Sequence, residues 1–260
     1  MTQNLLNLTL HCGSNQATIK EVRAVATPVR TSTWTPIGHD ELIDSVISTL
    51  GGNGLKVVNE AHALWQGGNR YFGSFQLAGE APDYALVVGL RNSHDKSFPA
   101  GLACGSGVFV CDNLAFSGEV RLSRRHTPRI REDLPRLISV AVGKLSEMKV
   151  TQEQRIEAYK HFNLDDFKAH DVLVRSLDVG ACPVTRLPAV LKEWREPSHE
   201  DFRPRTAWSL FNAFTEVAKA NASPERVIGR TMPLHGLFDQ LCGVGGCSEK
   251  YADAEILVRN

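Results

Sequence analysis

Hydrophobic positions change their period near the middle of the chain. Up to about residue 125 they gather in short runs broken by glycine, proline and polar clusters, as strands do. Beyond it they recur every three to four residues, as amphipathic helices do. Thr18 to Val29 alternates loosely through Ile19, Val22, Val25 and Val29, which predicts a strand ended or edged by Pro28. A helix follows: Leu42, Ile43, Val46, Ile47 and Leu50 share one stripe, Asp40 and Glu41 open it, and Gly51-Gly52 closes it. Leu55 to Trp65 and Tyr71 to Ala78 form a hairpin about Gly67-Gly68-Asn69. Tyr84 to Leu90 is an apolar strand, and Phe98 to Cys104 and Val108 to Cys111 read as two more, folded about Gly105-Ser106-Gly107.

In the second half, Leu134, Leu137, Ile138, Ala141, Leu145 and Met148 keep a helical period, with Pro135 tolerated in the first turn. Further helices are predicted over Gln152–His161, Asp165–Leu177, Leu187–Trp194, Ala207–Ala220 and Pro233–Leu241, and Arg195 to Arg205 is a loop. The stripe Trp208, Phe211, Phe214 and Val217 reads as core. Strands first and helices later predict an α+β fold: a largely antiparallel N-terminal sheet with one helix, covered by a helical C-terminal half. One domain spanning 1–260 is expected, with a sheet-rich half over 1–125 and a helical half over 126–260.

Composition narrows the function classes. Lys+Arg and Asp+Glu both number 29, so a wholesale polyanion binder is not expected, although local patches are allowed. No apolar run approaches the roughly 18 residues of a membrane span, and no basic region precedes the short N-terminal apolar stretch. A cytoplasmic protein without membrane contact is expected. The six cysteines are too sparse for a disulfide framework, and Cys242/Cys247 lack the two-residue gap of a zinc or redox motif. The chain carries no GxSxG, HExxH, Walker A or dinucleotide fingerprint, so no cofactor and no metal is expected.

One polar segment stands out, from Gly89 to Arg131. An apolar strand runs into Arg91-Asn92-Ser93-His94-Asp95 and a second into Cys111-Asp112-Asn113. Strand pairing can bring the two clusters to one region of the sheet, depending on register. The ordinary alternative is turn chemistry, in which Asn, Ser and Asp bond nearby backbone. As a pocket, His94, Asp95, Cys111 and His126 are the catalytic candidates, with Arg91, Asn92, Ser93 and Asn113 binding ligand. A metal reading of His94, Cys111 and His126, with Asp95 or Asp112, has no helical ligand spacing behind it. Arg121, Arg124, Arg125, Arg129 and Arg131 then concentrate positive charge suited to phosphate. The ordinary alternative for them is a solvated face with internal ion pairs.

The stretches LRNSHDKS (Leu90 to Ser97), VFVCDNLAF (Val108 to Phe116), RRHT (Arg124 to Thr127) and TAWSLFNAFTEV (Thr206 to Val217) resemble the DUF932 family of phage- and plasmid-like proteins. The spacing agrees from about Gly51 to Lys219. Lys96 stands where the family often has Gly, and Asp112 where Ser is common. The resemblance implies a mobile-element context and a site region, and it supplies no reaction. Two functions from different classes follow. The first is a mobile-element accessory protein binding single-stranded nucleic acid in replication, recombination or counter-defence, with a homo-oligomer as a further expectation. Its element order also resembles the core of single-strand annealing proteins of the Rad52 type, a fold-level analogy. The second is a hydrolytic or phosphoester-directed enzyme with His94 or His126 as acid/base and arginines on phosphate.

Overall fold

The computed structural model describes residues 4–111, 113–219 and 224–244. Its centre is a six-stranded antiparallel half-barrel, a meander in sequence order. The strands are β1 (Gln16–Ala17), β2 (Val57–Trp65), β3 (Arg70–Leu77), β4 (Tyr84–Ser93), β5 (Ala100–Val108) and β6 (Asn113–Arg124). Helices α1 (Ile19–Arg23) and α2 (His39–Gly52) precede β2. After β6 come α3 (Ile130–Gly143), α4 (Leu145–His161), α5 (Asp166–Asp178), α6 (Leu187–Arg195), α7 (Ala207–Lys219) and α8 (Pro224–Cys242).

Alternation along the strands builds two cores on opposite faces. Facing the helices, Tyr71, Phe75, Val88, Leu90, Leu102 and Leu122 pack on the stripe of α2 and on Leu134, Leu137 and Ile138 of α3. Toward the other end of the sheet, Tyr84, Val108 and Ala115 pack on α4 to α8, where Trp208, Phe211 and Phe214 lie in the core as their spacing predicts. On the opposite face, Ala63, Phe72, Val87, Ala103 and Leu114 are capped by Leu6, Leu8 and Cys12 from the N-terminal segment. That segment is pinned by polar contacts as well. Leu6 N donates to Gln76 Oε1 at 2.9 Å, Gln76 Nε2 to the Asn4 carbonyl at 2.8 Å, and Asn59 Nδ2 to the Leu6 carbonyl at 2.6 Å.

Four local expectations are corrected. The strand read over Thr18 to Val29 is not formed: the run opens with α1 (Ile19–Arg23), because Thr18 and Glu21 form a capping box that satisfies the first amides of a helical turn, and it continues as irregular chain. Gly105-Ser106-Gly107 is no turn: β5 runs through it, and the chain reverses between Val108 and Asn113. Gly107 is glycine because a Cβ there would lie 2.5 Å from Leu6 Cδ1, so the segment above needs the space. Gly105 follows a register shift against β6. The run from Leu134 to Met148 is divided at Lys144 between α3 and α4, and α8 begins at Pro224 with Pro233 inside it. Ala220, Asp112 and Cys247 lie outside the described residues.

A fully buried ion pair joins the sheet to the helices. Arg155 of α4 donates from Nε and Nη2 to the two oxygens of Asp239 on α8, at 2.7 and 2.8 Å. Tyr159 donates to the same carboxylate at 2.6 Å, Arg155 Nη1 donates to Gln152, and Gln152 Nε2 donates to Ser106 Oγ of β5 at 3.0 Å. Burial raises the pKa of Asp239, but the Arg155 and Tyr159 hydrogen bonds outweigh it and hold the carboxyl below its usual range. Breaking one half of such a pair strands the other charge in the core. Arg155→Met should therefore cost about 3–5 kcal/mol in a urea titration, whereas a change under 1 kcal/mol would mean that the pair is not sealed from water.

Candidate functional site

At the sheet end where β4 stops, three histidines meet around one carboxamide. Asn92 is fully buried, and its Nδ2 donates to the Ile37 carbonyl at 2.8 Å and to His39 Nδ1 at 3.0 Å. Its Oδ1 accepts from His126 Nε2 at 2.8 Å. His39 Nε2 donates to the Gly68 carbonyl, and His94 Nε2 to the Ile37 carbonyl, both at 2.9 Å. The His39 and His94 rings stack with centroids 4.0 Å apart and 5° between planes. Each ring thus donates through Nε2, and His39 accepts through Nδ1, so His39 is a neutral imidazole. Burial is the leading reason that the pKa falls in all three. It brings His39, with help from neighbouring His94, and His126 down to about 4, and it lowers His94 too. His94 Nδ1 is buried without a hydrogen-bond partner.

The same contacts gather four chain segments. The loop before α2 supplies Ile37, the β2–β3 turn supplies Gly68, the end of β4 and the turn after it supply Asn92 and His94, and the loop after β6 supplies His126. Backbone bonds add Thr35 N to the His126 carbonyl at 2.9 Å and His94 N to the Asn69 carbonyl at 2.7 Å. Ser93 donates to the Phe98 carbonyl at 2.6 Å, and Asp95 accepts from Arg70 Nε at 2.7 Å and from Ser97 N at 3.0 Å. Asn92 and His126 thus keep one neighbourhood with His94, and Ser93 and Asp95 keep the adjoining turn. Lys96 in that turn has φ of 64°, a left-handed position that favours glycine.

Cys111 and Asn113 go elsewhere. Antiparallel pairing puts Arg91 opposite Gly101 but Tyr84 opposite Val108, so the Cys111 turn lies at the far end of β5. That is about 30 Å from His94 at 3.3 Å per residue along the strand. A single pocket uniting His94 with Cys111, and the metal reading that shared them, is therefore corrected: the meander alternates its turns between the two ends. Among the described residues no group of three His, Cys, Asp or Glu side chains is placed to hold a metal ion. At its own end Cys111 Sγ meets Asn212 Oδ1 at 3.8 Å, Asn113 Nδ2 donates to the Asn212 carbonyl at 3.3 Å, and Lys219 Nζ donates to the Cys111 carbonyl at 2.8 Å.

The arginines divide as well. Arg124 is buried, and its guanidinium donates to Asp133 at 2.7 and 3.1 Å and to Thr127 at 2.9 Å. Arg131 pairs with Glu41, and Arg129 lies 3.6 Å from Glu132. These three meet acids, as the ordinary alternative holds, and Arg124 is no exposed loop residue. Arg121 and Arg125 are exposed and carry no ion pair among the described residues. Arg91 reaches the same depression as Arg121, over a floor of Gly89, Gly101 and Ala103.

Sequence reasoning missed the aromatic side chains of this end. Arg91 Cζ lies 5.6 Å from the Phe98 ring centroid, and Trp65 lies 6.4 Å from Phe98. Lys96 Nζ lies 5.0 Å over Trp34, which neighbours His126 at 6.4 Å. Trp34, Trp65 and Phe98 are all half-buried. Their signal in the sequence was faint, because each is a single aromatic in a turn or at a strand end. His39 was missed for the same reason, as a lone histidine opening a helix.

Comparison with known proteins gives one match: the profile described as "Domain of unknown function (DUF932)" covers residues 26–232. No curated protein and no solved structure matches the chain.

Two outcomes follow from the cluster. The rings titrate near 6.5 when unfolded, but His39 and His126 do so only near 4 when folded. As pH falls the unfolded state takes up protons first, so stability is full above about 6.5 and lost between there and 4. Tm followed by circular dichroism should drop across that window, and a flat profile would speak against neutral buried rings. Asn92→Ala removes the partner of His39 Nδ1 and of His126 Nε2 and should cost about 2–4 kcal/mol.

Proposed function

This chain belongs to the DUF932 family, and from that premise we propose that it binds single-stranded nucleic acid along the β4 end of the sheet, as an accessory protein of a mobile genetic element. The observation that carries the reading is the alternation of cations and half-buried aromatic rings there: Lys96 on Trp34, then Arg91 on Phe98 beside Trp65, then Arg121. Single strands present flat bases and a charged backbone, and proteins hold them by stacking bases on aromatic rings while guanidinium and ammonium groups follow the phosphates. Lys96 keeps an ammonium over an indole at a backbone position where glycine is easier, which supports a use for that charge. The buried histidines act here as a brace that sets the positions of these loops. The mobile-element context rests on the resemblance to phage- and plasmid-borne proteins, and replication, recombination or counter-defence are the roles it implies.

A second reading, acid/base chemistry, is favoured by the unpartnered Nδ1 of His94, which can accept a proton. Cleavage of a labelled oligonucleotide that disappears in His94→Gln, with binding retained, would establish it.

The binding reading has a quantitative test. Phosphate contacts from Arg91, Lys96, Arg121 and Arg125 give a slope near −3 in log affinity against log salt, at about −0.7 per contact on a single strand. In a fluorescence-anisotropy titration with a labelled oligonucleotide, Arg91→Ala/Arg121→Ala should reduce that slope to roughly −1.4. Phe98→Leu should weaken binding about tenfold at every salt concentration without changing the slope, because stacking releases no counterions. Arg125→Ala should leave Tm unchanged, while Arg124→Ala should lower stability by roughly 1.5–3 kcal/mol. Absence of binding at low salt removes the reading.

A further inference from the structure

Glycine is a poor residue for a strand interior, because it brings no side chain to pack and loses the most backbone freedom on folding. Gly101 nevertheless stands inside β5, between Arg91 on β4 and Ser123 on β6. Its φ lies outside the left-handed region, and the register shift of β5 against β6 comes later, between Ala103 and Gly105. What the position requires is room. A Cβ there would lie 3.1 Å from the Leu122 carbonyl oxygen, 3.2 Å from Arg91 Nε and 3.4 Å from Arg91 Cγ. With both Cγ and Nε this close, the Arg91 side chain runs across the face of Gly101 instead of away from the sheet. Its guanidinium carbon lies 5.6 Å from the Phe98 ring centroid. Arg91 is accordingly half-buried, whereas Arg121 and Arg125 are exposed.

A side chain added at Gly101 would have to displace one of these neighbours. The Leu122 carbonyl belongs to the ladder that pairs Leu102 with Leu122, so the backbone is held and the arginine is the part that yields. This matters for binding because a guanidinium is a planar fork of donors whose use on phosphate depends on its orientation. An exposed arginine also loses its rotamer freedom when it meets an anion. Arg91, laid on a glycine and against a ring, has lost much of that freedom beforehand. Resting on the reading that this end of the sheet binds single-stranded nucleic acid, we infer that Gly101 is a positioning residue of that site. It is the bare track that holds the Arg91 guanidinium in a fixed orientation for a backbone phosphate. Arg121 stands opposite Ala103, which has a Cβ, and supplies charge without that constraint.

The test has two arms, both on the full-length protein. The first needs no ligand and follows nitrogen-15 relaxation of the arginine side chains by NMR. Arg91 Nε should show a heteronuclear NOE close to backbone values. Gly101→Val puts a branched side chain of high strand propensity on the track, and should lower that NOE to the level of exposed Arg125. The second arm is a salt series of anisotropy titrations with labelled oligothymidylate. Gly101→Val should reduce the slope from near −3 to about −2.1, as Arg91→Ala should, at about −0.7 per contact. Affinity at low salt should fall about tenfold, and Gly101→Ala, a milder intrusion, should lie between wild type and Gly101→Val. The double variant Arg91→Ala/Gly101→Val should bind no more weakly than Arg91→Ala alone, because a positioning residue acts only through the group it positions. A glycine required only by the strand would give losses that add. The inference is overturned if wild-type Arg91 Nε is as mobile as that of Arg125, if Gly101→Val keeps the full slope, or if the losses in the double variant add. Absence of wild-type binding alongside a rigid Arg91 Nε would count against the binding reading alone, since the first arm reads the track without ligand. If Gly101→Val fails to fold, wild-type relaxation and Gly101→Ala decide the matter.

Discussion

The carboxamide of Asn92 is inaccessible to water, and both of its ends are committed. Its oxygen is held by one imidazole, and its two N–H groups are held by a carbonyl and a second imidazole. A buried amide with these partners accepts no rearrangement, because every alternative strands a polar atom in the core. The consequence is geometric. Loops that are distant in sequence, before α2, at the β2–β3 turn and after β6, are fixed to the end of β4, and the aromatic and cationic side chains they carry keep defined positions. It is also electrostatic, since a protonated imidazole at His39 would have no acceptor site left for Asn92.

Charge is handled in three different ways by the same residue type. Arg155 is sealed in the core with a bidentate carboxylate and serves registry between α4, α8 and β5. Arg124 and Arg131 fasten the β6–α3 connection to α3 and α2. Arg121, Arg125, Arg186 and Arg230 have no acid among the described residues. Formal neutrality of the chain is thus a sum over regions of unlike sign, and it hides the places where positive charge is left uncompensated.

Much of the fold was legible because burial imposes a period. The stripes of α2 and α7 and the strands β2, β3 and β4 follow directly from it, and the sheet-then-helix order fixed the class. Legibility failed where a local device overrode the period. The capping pair Thr18/Glu21 turned a loosely alternating run into α1, and Gly107 sat inside a strand because Leu6, a residue about a hundred positions earlier, lies on it. The site was half legible. Clustering of Asn92, His94 and His126 could be read from the polar segment, yet its partner Cys111 could not be excluded without knowing that β5 is unbroken. His39, Trp34 and Trp65 come from other stretches altogether, and nothing in their spacing announces that the chain returns them to one end of the sheet.

The N-terminal segment has a meaning for the family at large. The region shared with DUF932 begins at residue 26, after Leu6, Leu8 and Cys12 have already crossed the back of the sheet. The lining beneath them, Phe72, Val87, Ala103 and Leu114, belongs to the shared region, while its cover does not. A relative without this leader inherits a sheet with an oily reverse side and must close it by other means: a longer loop, a terminal extension or a second subunit. Quaternary structure within the family can therefore vary with the first two dozen residues of each chain, even where the shared sheet and helices are unchanged.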